Sequence, residues 1–414
     1  MSTLDPAEMT PASPAPMEGH GGYNRDSVVQ ASGASPALPL LVQAAQVVSL
    51  PAGDAAIVVA DYGSSEGYNS LAPMAAAIGA LRGRIGPARG VAVVHTDLPS
   101  NDFGSLFQLL ATDPASYLRG DPAAFASAVG RSFYEQILPS ASVTLGWSAW
   151  AVQWMSCTPA TIPDHVQVAY SRSEKAREAF AHQAARDWET FLACRGRELH
   201  PGGQLVVLTM ALTDEGEFGY RALLAAIYDT LHSLVAEGLV RDEEAARMAI
   251  PTVGRTRAEF AAPFARGGCA GLMLERLDLF EGEDTIWRDF CRDGDAGTFG
   301  ARWAAFSRAS VLPTLALSLA DGAGDARTAE FVTRMEAGMA ERLAAAPEPM
   351  LIPLAALVLS RDEMGSADAA GHDEAAHDTV FRGRCTTALA GLPPQKHVST
   401  PSAPSARAAE QPRS

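Results

Sequence analysis

"AAIVVADYGSSEGYNSLAPMAAAIGALRGRIGPARGVAVVHTDLP", residues 55–99, holds three elements in a row. Residues 55–63 are a short apolar run ending in Asp and Gly, the pattern of a buried strand reaching a turn. In residues 69–85 apolar side chains recur at Leu71, Met74, Ala75, Ile78, Leu81 and Ile85. That spacing predicts an amphipathic helix, with Asn69 placed to cap its start. Residues 90–99 read as a second buried strand ending in Asp97. Strand, glycine turn, helix and strand make a βαβ unit, which winds right-handed into a parallel sheet.

Further along, residues 180–199 predict a long helix with Phe180, Ala184, Trp188, Phe191, Leu192, Arg195 and Leu199 along one side. It is expected to stop at "HPGGQ", where Gly supplies a left-handed cap and Pro forbids continuation. A strand at 204–212 follows. Residues 216–300 read as largely helical, an insertion or cap over the sheet, and the apolar segment at 350–360 returns to the sheet.

The rest of the composition narrows the function. The formal charge of −16, with no dense Lys/Arg cluster, argues against a nucleic-acid partner. Five scattered cysteines without a C-x-x-C pair argue against a disulfide scaffold or structural zinc, and for a reducing, cytoplasmic setting. The start lacks a basic flank and an apolar core, so no signal peptide is expected. The run "MLIPLAALVLS" at 350–360 is too short to span a bilayer, which takes roughly 20 residues, so no membrane partner is expected. "HDEAAH" at 372–377 sets His372 and His377 five apart, off a shared helix face, and no metal is expected there or elsewhere.

The glycine turn carries the chemistry. "ADYGSSEGYN", 60–69, is neither G-x-G-x-x-G nor a phosphate-cradling loop ending in G-K-[ST]. Its few glycines and acidic start suit a ligand with an ammonium group, and Asp97 closes the next strand where an acid takes a ribose diol. On these residues alone two ligands stay open, a dinucleotide and S-adenosylmethionine. Upstream, "YNRDSVVQ" sets Tyr23, Ser27 and Gln30 on one helix face, a polar stripe that suits either solvent or a site.

Six ordered blocks together resemble the SABATH family of carboxyl and N-methyltransferases. "YNRDSVVQ" is similar to its opening Y-x-x-N-S-x-x-Q, with Asp26 for Asn. "DYGSSEGYN" resembles its glycine turn, with Ser64 for a frequent Cys and Tyr68 for Pro. "TDLPSNDFGSLF", 96–107, matches its D-L-P-x-N-D-F block and is the most specific of the six. "GRSFYEQILP", 130–139, resembles G-S-F-Y with Arg131 inserted, and "WSAWAVQWMSCTP", 147–159, and "RDWETFLACRGRELHPGG", 186–203, are similar to later blocks.

The resemblance implies an α/β fold: a class I Rossmann-like methyltransferase sheet with a mostly helical cap over the active site. Domains are expected as a tail at 1–16, a core at 17–212, a helical cap at 213–300, a return to core and cap at 301–361, and an acidic, Pro/Ser-rich tail at 362–414. It implies S-adenosylmethionine held by Tyr23, Ser27, Asp61, Gly63, Ser64 and Asn69 at the methionyl end. Asp97 would take the ribose, and Leu98, Ser132 and Phe133 the adenine. Gln30 and Trp154 would hold the two oxygens of a small acceptor carboxylate, with Tyr23, Trp150, Gln153 and Ser307 on the pocket wall. The alternative for Trp150 and Trp154, four apart, is two plain core residues on one helix face. The implied reaction is methyl transfer to a carboxylate without a general base, by a homodimer. Methylation of a ring nitrogen, or ligand binding without catalysis, are the alternatives.

Overall fold

The computed structural model describes residues 17–19, 22, 24, 35–265 and 267–363. Helix α1 (Leu38–Val47) leads to strand β1 (Ile57–Tyr62), helix α2 (Tyr68–Ile85), strand β2 (Val91–Asp97) and helix α3 (Phe103–Thr112). Strands β3 (Ala124–Gly130) and β4 (Val143–Ala149) follow. The 25-residue helix α4 (Glu174–Glu198) then runs straight into β5 (Leu199–Met210). Helix α5 (Arg221–Ala236), strand β6 (Leu272–Glu281), helices α6 (Thr285–Asp293), α7 (Ala296–Ser310) and α8 (Thr328–Ala345), and strand β7 (Pro353–Arg361) complete the order.

The seven strands form one sheet in the order β3-β2-β1-β4-β5-β7-β6. Strands β1 to β5 pair in parallel, and β7 runs antiparallel between β5 and β6. Strand β1 is the point where the order reverses, with β2 on one side and β4 on the other. In an open α/β sheet the crevice beyond the carboxyl ends of such strands is where ligands bind. Strands β1 and β5 are buried along nearly their whole length, which is why their sequences read as continuous apolar runs.

Four expectations need correction. Helix α2 starts at Tyr68 behind Gly67, which takes φ +91°, so Asn69 lies inside the first turn rather than capping it. Helix α4 ends on Leu199 in an extended conformation, and Pro201, Gly202 and Gly203 lie inside β5. Gly202 there has φ +76°, and the register against β4 slips between Val143 and Leu145, so the glycines serve a bulge and not a helix cap. The largely helical stretch 216–300 also supplies β6, an edge strand. Trp150 and Trp154 share no helix: Trp150 follows the end of β4 with φ +56°, and Trp154 forms an isolated bridge with Thr252.

Among the described residues no helix is long and apolar enough to cross a membrane. Residues 1–16 and 364–414, and with them the HDEAAH motif, lie outside the described residues.

Candidate active site

Every parallel strand delivers its carboxyl end to one cleft that opens to solvent. Gly63 follows β1, Asp97 and Leu98 close β2, Ser132 and Phe133 follow β3, Trp150 follows β4, and Met210 ends β5.

The backbone at the turn after β1 is shaped by its sequence. The N–H groups of Gly63 and Ser64 both donate to the Thr96 carbonyl, at 2.8 and 3.0 Å, which ties the turn to β2. Gly63 has φ +88°, and a Cβ there would collide with the Ala151 methyl. Only glycine lets the turn pass under the 150–156 segment.

Asp97 is the sole charged residue among the described residues that wall the cleft. Its Oδ2 accepts the Ser65 N–H and its Oδ1 the Leu98 N–H, both at 2.8 Å. The protein crowded around this carboxylate pushes its pKa up to about 6, against the pull of the two amides. A carboxylate offers about four lone-pair positions, and two are spent. One remains on each oxygen, which matches the paired hydroxyls of a ribose. Ser65 is held at φ +49°, and its buried Oγ has no partner among the described residues. The donor set therefore fits an adenosyl ligand, with Ser65 and Asp97 at its polar edge and Leu98, Ser132 and Phe133 offering a less polar wall.

The loop carrying Ser132 and Phe133 is pinned from below. Arg195, on the apolar stripe of α4, donates to the Phe133 and Glu135 carbonyls at 2.8 Å and pairs with Glu198 at 2.9 Å. Glu198 also accepts the Tyr62 hydroxyl at 2.7 Å and the Leu138 N–H at 3.1 Å. Both charges are fully buried, and the Arg195 guanidinium lies 4.3 Å from the Tyr62 ring centre. An arginine on a buried face is thus explained by its ion pair and ring contact.

Of the residues singled out in the sequence, Gly63, Asp97, Leu98, Ser132, Phe133, Trp150, Gln153, Trp154 and Ser307 come together in the cleft wall. Asp61, Ser64 and Asn69 are not among its walls. Asp61 is 2% exposed, and its Oδ2 takes the Ser70 hydroxyl at 2.5 Å and His95 Nδ1 at 2.9 Å. His95 Nε2 in turn meets the Tyr117 hydroxyl at 2.9 Å. Asp61 thus anchors a buried polar network beneath the turn. Tyr23, Ser27 and Gln30 lie outside the described residues.

The acceptor side of the cleft was less visible beforehand. It is walled by Phe218, Tyr220, Leu223, Leu224 and Ile227 at the start of α5, and by Phe306, Ser307 and Ser310 on α7. Tyr220 packs face to face with Phe306, with ring centres 6.4 Å apart, and its φ of +56° marks the entry to α5. The serines here are spent on their own backbone, whereas the buried Tyr220 hydroxyl and Trp150 indole N–H have no partner among the described residues. Ser307 donates to the Trp303 carbonyl, and both ends of the Gln153 amide are engaged, by Trp150 and Thr209. The body of a bound acceptor therefore meets aromatic rings and aliphatic groups, two unpartnered polar groups and no charge. Of this wall, Ser307 is the residue singled out in the sequence.

An open sheet of this order, with an acid after β2 and a helical cap over the strand ends, is the fold of the S-adenosylmethionine-dependent methyltransferases. A solved structure of loganic acid methyltransferase with SAH superimposes on 84% of this chain and 99% of its own, with a TM-score of 0.68 and 21% identity. Residues 15–356 match the family model described as SAM dependent carboxyl methyltransferase, and the chain belongs to that family. Methyltransferase FUS9 of Gibberella fujikuroi is 30% identical over 244 residues, covering 58% of this chain and 64% of the relative. Salicylate carboxymethyltransferase of Clarkia breweri is 25% identical over 292 residues, covering 67% and 78%. The chain thus spans a little under two thirds of the length of the first relatives it matches.

Proposed function

We propose that this chain makes methyl esters of a small monocarboxylic acid, using S-adenosylmethionine. The reading rests on one observation: a single cleft is walled both by Asp97, with two lone pairs left for a ribose diol, and by Trp154, beside an uncharged apolar pocket. When bound, S-adenosylmethionine supplies a methyl group on a sulfonium, an electrophile with its leaving group built in. An acceptor carboxyl group has a pKa near ~4, so it is ionised at neutral pH and needs no base from the protein. Consistent with that, no His or Lys stands among the described wall residues.

The protein's work is alignment. Asp97 orients the ribose, the Phe133 loop closes on the adenine, and the Trp154 indole N–H and the Gln30 carboxamide each take one acceptor oxygen. Holding the two reactants in line and excluding water supplies on the order of 7–11 kcal/mol. The apolar wall of α5 and α7 strips water from the acceptor's body. We also infer a homodimer in the cytoplasm, on the family likeness and the scattered, odd-numbered cysteines. Light scattering of the full chain tests the assembly.

Calorimetry tests the cofactor half of the reading. S-adenosylhomocysteine is expected to bind the full chain, and a nicotinamide dinucleotide is not. Uptake of the dinucleotide with no affinity for the adenosyl-sulfur ligand contradicts the proposal.

A further inference from the structure

Residues 150–154 form a non-helical segment in which five consecutive carbonyls are each taken by a different donor. The Trp150 oxygen accepts from Gln153 Nε2 at 2.7 Å, and the Ala151 oxygen from the Trp154 N–H at 2.9 Å. The Val152 oxygen accepts from Arg255 Nη1 at 3.0 Å, and the Gln153 oxygen from the Val253 N–H at 2.9 Å. The Trp154 oxygen accepts from the Tyr134 hydroxyl at 2.6 Å. The first residue of the segment sits at φ +56°, a conformation that a tryptophan does not adopt without outside support.

Four of the five donors are ordinary ties within the segment or to the neighbouring 251–255 stretch. The fifth comes from elsewhere. Tyr134 belongs to the loop that carries Ser132 and Phe133, and that loop is locked by the buried Arg195–Glu198 pair. A carbonyl can only accept, so the phenolic proton of Tyr134 points at the Trp154 oxygen. One hydroxyl joins the adenine-side loop to the residue assigned to the acceptor carboxylate.

We propose that Tyr134 is a positioning residue for methyl transfer: through its bond to the Trp154 carbonyl it fixes the Trp154 indole relative to the cofactor-side loop. This rests on the reading of Trp154 as a carboxylate donor. Gln153 has the same kind of task from inside the segment, since its amide closes on Trp150 and on Thr209 of β5.

Tyr134→Phe, Trp154→Phe and the double variant of the full chain, assayed for methyl ester formation, test this. The Tyr134→Phe ring keeps its packing against Phe133, with centres 4.8 Å apart, and only the hydroxyl is lost. A displacement of under 1 Å at a reacting group costs up to about 100-fold. Tyr134→Phe is therefore expected to lower kcat by about 10-fold or more while the KM for S-adenosylmethionine changes by less than about threefold. In the Trp154→Phe background the same change is expected to have no further effect on kcat, which a general loss of structure would not produce. Equal losses in both backgrounds, or a Tyr134→Phe kcat within twofold of the parent, overturn the positioning role while leaving the reading of Trp154 intact. A Trp154→Phe variant as active as the parent overturns that reading, and the proposal with it.

Discussion

Replacing Asp97 by Asn removes the one charge in the described cleft wall and half of its acceptor capacity. Each Asp97 oxygen already takes one backbone N–H, from Ser65 and from Leu98, leaving one lone pair apiece for a diol. An asparagine offers one oxygen. Its amino group must face either the Ser65 or the Leu98 amide, donor against donor, and the single oxygen keeps one free lone pair. A bound ribose then loses one hydrogen bond to a charged group, worth about 1.5–3 kcal/mol, and the other weakens to a neutral bond. The sum is about 2–4 kcal/mol, or roughly a 30- to 700-fold rise in Kd at 1.4 kcal/mol per decade. Calorimetry with S-adenosylhomocysteine at pH 7.5 measures it. An analogue lacking both ribose hydroxyls provides the control, and it is expected to bind parent and variant within about threefold of each other. A fall of less than threefold for S-adenosylhomocysteine, or an equal fall for the deoxy analogue, refutes the diol contact.

The raised pKa of Asp97 gives two pH signatures. As pH drops below about 6 the free carboxyl protonates, so S-adenosylhomocysteine affinity is expected to fall about tenfold per unit, while kcat at saturating cofactor stays flat to about pH 5. In the ligand-free protein, a carboxyl raised from 3.8 to about 6 favours folding most below 3.8 and loses that contribution as pH rises through 6. Asp97→Asn should flatten both trends, as read by calorimetry and by melting temperature against pH. Arg195→Met leaves Glu198 buried without its cation, at a cost of about 3–5 kcal/mol in denaturant unfolding; a loss under 1 kcal/mol would contradict the buried pair. Gly63→Ala puts a methyl into Ala151 at φ +88°, and is expected to lower the melting temperature and weaken S-adenosylhomocysteine binding together.

The βαβ unit at 55–99 was legible because buried parallel strands read as unbroken apolar runs and an acid ends each one. Three strands gave weaker signals, for different reasons. Strand β3, "AFASAVG", lies at the sheet edge with small residues and only Ala124 fully buried, so it has neither an apolar run nor a clean alternation. Strand β6 alternates at Leu272 and Leu274, then resumes at Leu277 and Leu279; a bulge between Leu274 and Arg276 shifts the parity and hides the period. Strand β4 was masked by the four-residue spacing of Trp150 and Trp154, which mimics a helix face where the chain in fact turns at positive φ.

In the site, the residues at strand ends were readable, because topology alone brings Gly63, Asp97 and Trp150 together. Ser65 stands in the wall where Ser64 was expected, a one-residue shift set by the φ of +49° at Ser65. Gln153 stands in the wall with one amide N–H on the Trp150 carbonyl and its oxygen on Thr209, ties that no spacing reveals. Tyr220 and Phe306 meet because α5 and α7 both pack against α8, a tertiary arrangement that no local spacing reveals.

The most direct measurement is incubation of the full chain with methyl-labelled S-adenosylmethionine and a panel of aromatic and aliphatic monocarboxylic acids. Label is expected in a base-labile methyl ester of at least one acid, with one S-adenosylhomocysteine formed per ester. Label confined to a base-stable N-methyl product, or no transfer although the cofactor binds, would contradict an active site built to align a carboxylate that arrives already charged.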